Sequence, residues 1–396
     1  MINRKAEKLG RERSVIREIF EYGQKRKSEI GAEHVYDFSL GNPSVSPPPS
    51  VDREIVRLIE DGPSTSLHGY TSASGAPETR RAIAEYLTRT HGFSVSGDSI
   101  YVTVGAAAAL TSALGALVTK GEEVIVLAPY FPEYKVFIEK SGGRAVEVPS
   151  CPDFQPNIEA IKEAITPRTA AIIVNSPNNP SGAVITRERL EQLASVLSSA
   201  EAELGKSIYL IADEPYRELV YDGAEVPFIP SIYRDTVVCY SFSKSLSLPG
   251  ERIGYVLVSP SIPECDSVFA AVAGAARSLG YVCAPSLMQR ILPKVLGEVS
   301  DIAVYDRNRR LLLSELSSYG FECVPPSGAF YLFLKSPVPD ANEFAMRARD
   351  FELLLVPSDS FGCPGYVRIS YCVETEEIKR ALPAFSALAK SYGLKG

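Results

Sequence analysis

The chain of 396 residues has no tryptophan, only three histidines and no excess of positive charge. Its seven cysteines stand at 151, 239, 265, 283, 323, 363 and 372. They are odd in number and never form C-x-x-C, so neither a disulfide framework nor a zinc cage is expected, and a reducing cytoplasm is the expected home. His34, His68 and His91 share no ligand spacing, and no metal site is expected. The net charge of −7 offers no basic face to a nucleic acid. No apolar run reaches the roughly 20 residues of a membrane span. The charged first residues (Arg4, Lys5, Lys8, Arg11 and Arg13) lack the apolar stretch of a secretory signal. No G-x-G-x-x-G follows an early strand, and Gly205-Lys206-Ser207 has Ala200 where a phosphate-binding loop needs glycine, so a nucleotide site is not expected.

What remains is ordinary globular composition, 45% hydrophobic and 22% charged, in a chain long enough for two domains. Val15, Ile16, Ile19 and Phe20 recur at helical spacing. A loop rich in Pro and Ser follows residues 37–43 and runs through Pro49, where no helix is expected. Apolar, β-branched runs at 100–104, 123–128, 145–148, 170–174, 208–212 and 237–240 read as strands, most of them separated by helix-like segments such as 106–118, 157–165 and 187–204. A further run at 253–258 follows too closely for a crossover and should pair antiparallel. The expectation is an α/β fold: a mainly parallel seven-stranded sheet between helices, plus a smaller α+β domain. Residues 1–50 are expected to join that small domain, 51–285 to form the large one and 286–396 the small one. Within the last part, 287–316 reads as one long helical stretch, 330–333 and 367–370 as strands, and the end from about 376 as a helix.

Lys244 stands just past the strand at 237–240, in Ser241-Phe242-Ser243-Lys244, with Arg252 a short loop away. Open α/β sheets place ligands at that end of their strands. An amine there can form a Schiff base with an aldehyde, and an arginine with two hydroxyls can hold a phosphate. Other strand ends carry Gly105-Ala106-Ala107 opening a helix, a natural anion site; Pro129-Tyr130-Phe131-Pro132, either core or a stacking plate; the turn at 175–182; and Asp213-Glu214-Pro215-Tyr216, where the acid is either a helix cap or a partner for a protonated ring nitrogen.

In this order the motifs resemble the pyridoxal-phosphate enzymes of fold type I, aminotransferase class I/II. S-F-S-K-S-L-S-L-P-G-E-R-I-G fits that family's cofactor-attachment pattern, and N-N-P-S-G, D-E-P-Y and Y-V-R-I-S follow in family order. The resemblance covers essentially the whole chain. It implies pyridoxal 5′-phosphate joined to Lys244, with the phosphate held by Ser241, Ser243, Arg252 and the amides of Gly105, Ala106 and Ala107. It implies Asp213 against the ring nitrogen, Asn179 and Tyr216 on the phenolic oxygen, and Phe131 stacked on the ring. Arg368 would take the substrate carboxylate, with Asn179 and the backbone of Gly41 nearby. Tyr70 would reach the phosphate of a neighbouring subunit in a homodimer. The implied reaction moves an amino group from an L-amino acid, aspartate being the first expectation, to a 2-oxo acid such as 2-oxoglutarate, in ping-pong fashion.

Two departures stand out. The stacking residue is a phenylalanine, and the phosphate loop has alanines where many relatives carry a hydroxyl. Arg277 is a candidate for a second substrate carboxylate or a plain surface charge, the latter being favoured. The alternatives are a C–S β-lyase or other amino-acid lyase using the same residues, and a regulatory protein that binds the cofactor without turnover. The latter usually carries a DNA-binding module, for which the residues before Asp37 are too few.

Overall fold

The computed structural model describes residues 2–12 and 14–395; Arg13, one of the N-terminal charges named above, lies outside the described residues. The first strand, β1 (Tyr36–Asp37), belongs to the N-terminal segment. The next seven form one sheet: β2 (Ile100–Thr103), β3 (Glu123–Ala128), β4 (Arg144–Pro149), β5 (Thr169–Asn175), β6 (Tyr209–Asp213), β7 (Thr236–Ser241) and β8 (Gly254–Val258), in the spatial order β2-β8-β7-β6-β5-β3-β4. The β3–β4, β3–β5, β5–β6 and β6–β7 pairs are parallel. β8 is antiparallel to both β7 and β2. The segment from β7 to β8 is too short to cross back over the sheet, so the chain reverses.

Alternate strand residues face opposite sides, and both sides are covered. Ile125, Ile172 and Val174 join one core with Leu87, Leu190, Leu193 and Met288. Val124, Val126, Ala171 and Ile173 join the other with Ala109, Leu114, Val268 and Val272. The alanines of the helix Ala106–Leu117 let it lie close against both the sheet and the helix Cys265–Ser278. Because β3, β5, β6 and β7 are parallel, their carboxyl ends share one edge, where Asn175, Asp213 and Ser241 are carried.

A second sheet has the order β12-β13-β10-β9, from β9 (Cys323–Val324), β10 (Tyr331–Lys335), β12 (Val356–Pro357) and β13 (Tyr366–Ser370). β11 (Leu353–Leu354) pairs parallel with β1. The core beside this sheet includes Phe38 together with Phe330, Leu332, Ile369 and Phe385. Ile19, on the helix Val15–Ile30, and Val35 pack with Leu354 and Val356.

Two expectations are corrected. The stretch 287–316 is two helices, Ser286–Val295 and Ile302–Ser318. Gly297 turns the chain at φ +87°, and Asp301 starts the second helix by accepting from the Ala303 amide at 3.2 Å. The Pro-rich loop ends sooner than expected, because Pro49 opens the helix Pro49–Asp61; proline suits a first turn, where its missing N–H costs nothing. No helix of the described residues is long and apolar enough to cross a membrane.

Candidate active site

The carboxyl edge of the large sheet and the second sheet border a cleft that is open to solvent. Asp213, Ser241, Ser243, Lys244 and Arg252 line it from β6, β7 and the loop to β8. Ala106, Ala107, Phe131, Asn179 and Tyr216 line it from the other strand ends, and Gly41 and Arg368 from the side of the second sheet.

Lys244 rides on a single helical turn, Phe242–Ser245, that begins where β7 ends. The Ser241 side chain starts the turn by accepting from the Ser243 amide at 3.2 Å. Lys244 Nζ donates to the Gly41 carbonyl at 2.5 Å and stands 5.2 Å from the centre of the Phe330 ring. Burial lowers its pKa to about 8; Cys372 opposes this, while Arg252 and Arg368 add to it. An amine in that range is partly uncharged near neutral pH, and so able to act as a nucleophile or to carry a proton.

Asp213 is buried and held from one side. Tyr134 Oη donates to Oδ2 at 2.5 Å, and Asn175 Nδ2 donates to the Asp213 carbonyl at 2.8 Å. Oδ1 has no hydrogen-bond partner. Burial raises the carboxyl to about 7, the Tyr134 hydrogen bond opposing and Glu214 adding to the rise. Asn175 also accepts from the Asn179 amide at 2.8 Å. One side chain thus ties two candidate residues together. Tyr216 Oη meets Tyr331 Oη at 2.8 Å. Burial, with Tyr331 alongside, pushes the Tyr216 hydroxyl well above its usual range, so it is protonated and available as a donor.

Arg368 lies on β13 and is buried. Its bonds run to neutral oxygens, Asn179 Oδ1 at 3.0 Å and the Ser39 carbonyl at 2.5 Å, and its Nε has no partner. Buried guanidinium groups are normally paired with an anion. Burial accordingly pulls this one below its ordinary value.

At the other end, Arg252 donates to Ser243 Oγ at 3.2 Å and the Pro249 carbonyl at 3.0 Å, and Ser243 Oγ lies 2.8 Å from Ser241 Oγ. The Arg252 backbone is left-handed, φ +52°, a conformation that costs a non-glycine residue free energy and collects at functional sites. Gly105, at φ +87°, starts the helix Ala106–Leu117, and a Cβ there would stand 2.6 Å from Arg252 Nη2. A guanidinium, two hydroxyls and a helix N-terminus therefore converge on one small space.

Tyr70 is not among the residues lining this cleft, and its side chain is 91% exposed. Arg277 is exposed and opens on a separate groove with Tyr101, Phe269 and Val282. Tyr134, Asn175 and Tyr331 belong to the site but were not singled out from sequence. Asn175 heads the turn that drew attention, whereas an aromatic in a helix or strand reads simply as core.

The family model for aminotransferase class I and II matches residues 33–385. A solved aminotransferase structure from Eubacterium rectale is 50% identical and superposes with a TM-score of 0.97 over 99% of both chains. A probable aspartate/prephenate aminotransferase from Thermus aquaticus is 35% identical over 88% of this chain and 90% of its own. An aromatic-amino-acid aminotransferase from Thermococcus litoralis is 28% identical over 96% of this chain and 97% of its own. The chain belongs to the aminotransferase class I and II family.

Proposed function

We propose that this aminotransferase works with pyridoxal phosphate joined to Lys244 and carries an amino group from an α-amino acid to a 2-oxo acid in two half-reactions. When bound, the cofactor supplies an aldehyde that condenses with amines and a protonated ring that draws electrons from the amino acid's α-carbon. The donors and acceptors of the cleft fit such a group. Asp213 Oδ1, buried and without a partner, suits a cationic ring nitrogen, whose charge a carboxylate stabilises. Ser241, Ser243, Arg252 and the amides at 105–107 suit the phosphate. Asn179 and Tyr216 can hold the phenolic oxygen, and Phe131 can cover the ring face.

Arg368 is the observation that carries the reading: a buried guanidinium with Nε unpartnered, in the cleft that holds Lys244. It suits the substrate carboxylate, with Asn179 and the Gly41 backbone beside it. Carboxylate capture of this kind fixes the amino acid so that its α-hydrogen is the bond presented, and the Lys244 amine can then take that proton and deliver it elsewhere. Tyr70, exposed on its own protomer, is assigned to the phosphate of a second copy, which makes the active form a homodimer. A reducing cytoplasm is the setting proposed, on the scattered cysteines.

The relatives' names include aspartate, prephenate and aromatic amino acids, which supports trying donors beyond aspartate. Purified protein loaded with pyridoxal phosphate should be mixed with single amino acids while the cofactor absorbance and the released acid are followed. Conversion of the cofactor to its aminated form, with one matching 2-oxo acid per turnover, is expected. Pyruvate and ammonia from a β-substituted amino acid would replace transamination by elimination, and binding without any conversion would leave a regulatory role.

A further inference from the structure

We infer that Tyr331 is a positioning residue for both ends of the cleft: its hydroxyl donates to Tyr216 and so turns the Tyr216 hydrogen toward the cofactor, while its ring carries the guanidinium of Arg368. This rests on the pyridoxal-phosphate reading above and on contacts made within one chain, where Tyr331 is buried and lines the cleft.

The Tyr216 and Tyr331 hydroxyls lie 2.8 Å apart, and either could donate to the other. A phenol has one hydrogen to give. With the Tyr216 hydrogen committed to the cofactor's phenolic oxygen, the hydrogen between the two tyrosines must come from Tyr331. Burial pushes the Tyr331 hydroxyl up to about 12, Arg368 opposing, so it stays protonated near neutral pH. Its place is fixed from several sides. The ring meets those of Phe330 and Tyr216 edge-on at 5.0 and 5.6 Å, and a Cβ at Gly41 would overlap the Tyr331 hydroxyl. A phenol that accepts a hydrogen bond becomes a stronger donor in turn. At the other end, the Arg368 guanidinium stands over the Tyr331 ring, 4.7 Å from its centre, and over the Phe361 ring at 5.3 Å. Its hydrogens lie in its own plane, so rings on its faces hold it in place and leave the edge free for a carboxylate. The unpartnered Nε belongs to that edge.

Tyr331→Phe removes the hydroxyl and keeps the ring; Tyr331→Leu, or Tyr331→Met if the leucine variant fails to fold, removes both. Each is loaded with pyridoxal phosphate and measured in two ways. One is the pH midpoint of the bound cofactor's absorbance; the other is equilibrium affinity for propionate, hydrocinnamate and succinate as unreactive carboxylates. A weaker hydrogen bond from Tyr216 leaves more negative charge on the phenolic oxygen, and the nitrogen joining Lys244 to the cofactor then keeps its proton to higher pH. In Tyr331→Phe the midpoint should rise by about 0.5 to 1 pH unit, while the tightest-binding acid keeps its affinity within about twofold. In the leucine or methionine variant the midpoint should rise equally, and that affinity should fall about three- to thirtyfold. An unmoved or lowered midpoint in Tyr331→Phe would overturn the inference, as would unchanged carboxylate affinity once the ring is gone. Wild-type protein with no cofactor absorbance that depends on Lys244 would remove the pyridoxal-phosphate reading itself, and the inference with it.

Discussion

Burial brings the two central ionisable groups close together in pH, with Asp213 raised to about 7 and Lys244 lowered to about 8. A lysine at its ordinary value is almost wholly charged at neutral pH, and only the free amine attacks an aldehyde. Uptake of pyridoxal phosphate by cofactor-free protein should therefore speed up as pH rises toward about 8 and level off above it. The growth of absorbance on mixing reports this rate, and a rise continuing to about pH 10 would show an unperturbed lysine. Tyr134 acts on Asp213 without touching the reacting atoms: its hydroxyl holds Oδ2, while its ring packs edge-on against Phe131 at 5.7 Å. Tyr134→Phe keeps the packing and removes the donor. A hydrogen bond to a charged group contributes about 1.5–3 kcal/mol, so kcat should fall roughly tenfold or more with KM little changed. The pH dependence of the bound cofactor's absorbance should move as well, a change that simple loss of packing would not produce.

The site is assembled from the ends of elements, and this is why so much of it could be read from sequence. β6 and β7 are short apolar runs that stop at a polar residue, so Asp213 and Ser241 announce both a strand end and a candidate group, whereas Asn175, at the end of β5, only headed a turn. Lys244 and Arg252 followed from the same logic. Tyr134 and Tyr331 did not: one sits on the short helix Glu133–Lys140 and the other on β10, where a tyrosine is ordinary core until its hydroxyl partner is seen. The break between Ser286–Val295 and Ile302–Ser318 was hidden because apolar residues continue on both sides, and only Gly297 and Asp301 mark it. The phosphate end gives a prediction on this scale. Gly105 holds the start of its helix at φ +87° beside Arg252. Gly105→Ala adds a methyl group there and strains the backbone by about 1–3 kcal/mol. Its affinity for pyridoxal phosphate should drop by about ten- to a hundredfold, as measured by equilibrium binding. An unchanged affinity would place the phosphate elsewhere.

In the whole molecule, the N-terminal segment reaches over to the second sheet: β1 pairs with β11, and Ile19 and Phe38 join the cores there. Ile16 and Leu40, which line the cleft, are therefore positioned by contacts with the last third of the chain. Tyr70 is exposed and is not among the residues lining the cleft. If it serves a second copy's phosphate, then Lys244→Ala and Tyr70→Phe disable different sites of a dimer. Mixing the two variants, unfolding and refolding them together should restore about a quarter of the wild-type activity per site, because half the dimers are mixed and one of their two sites carries neither change. Activity no higher than that of the better single variant would argue for sites complete within one chain. Attachment of the cofactor to Lys244 is tested by loading the protein with pyridoxal phosphate, reducing it with borohydride and mapping the modified peptide by mass spectrometry. A stable adduct on Lys244, absent from Lys244→Ala, is expected; an adduct on another lysine, or one that persists in that variant, would rule out this attachment.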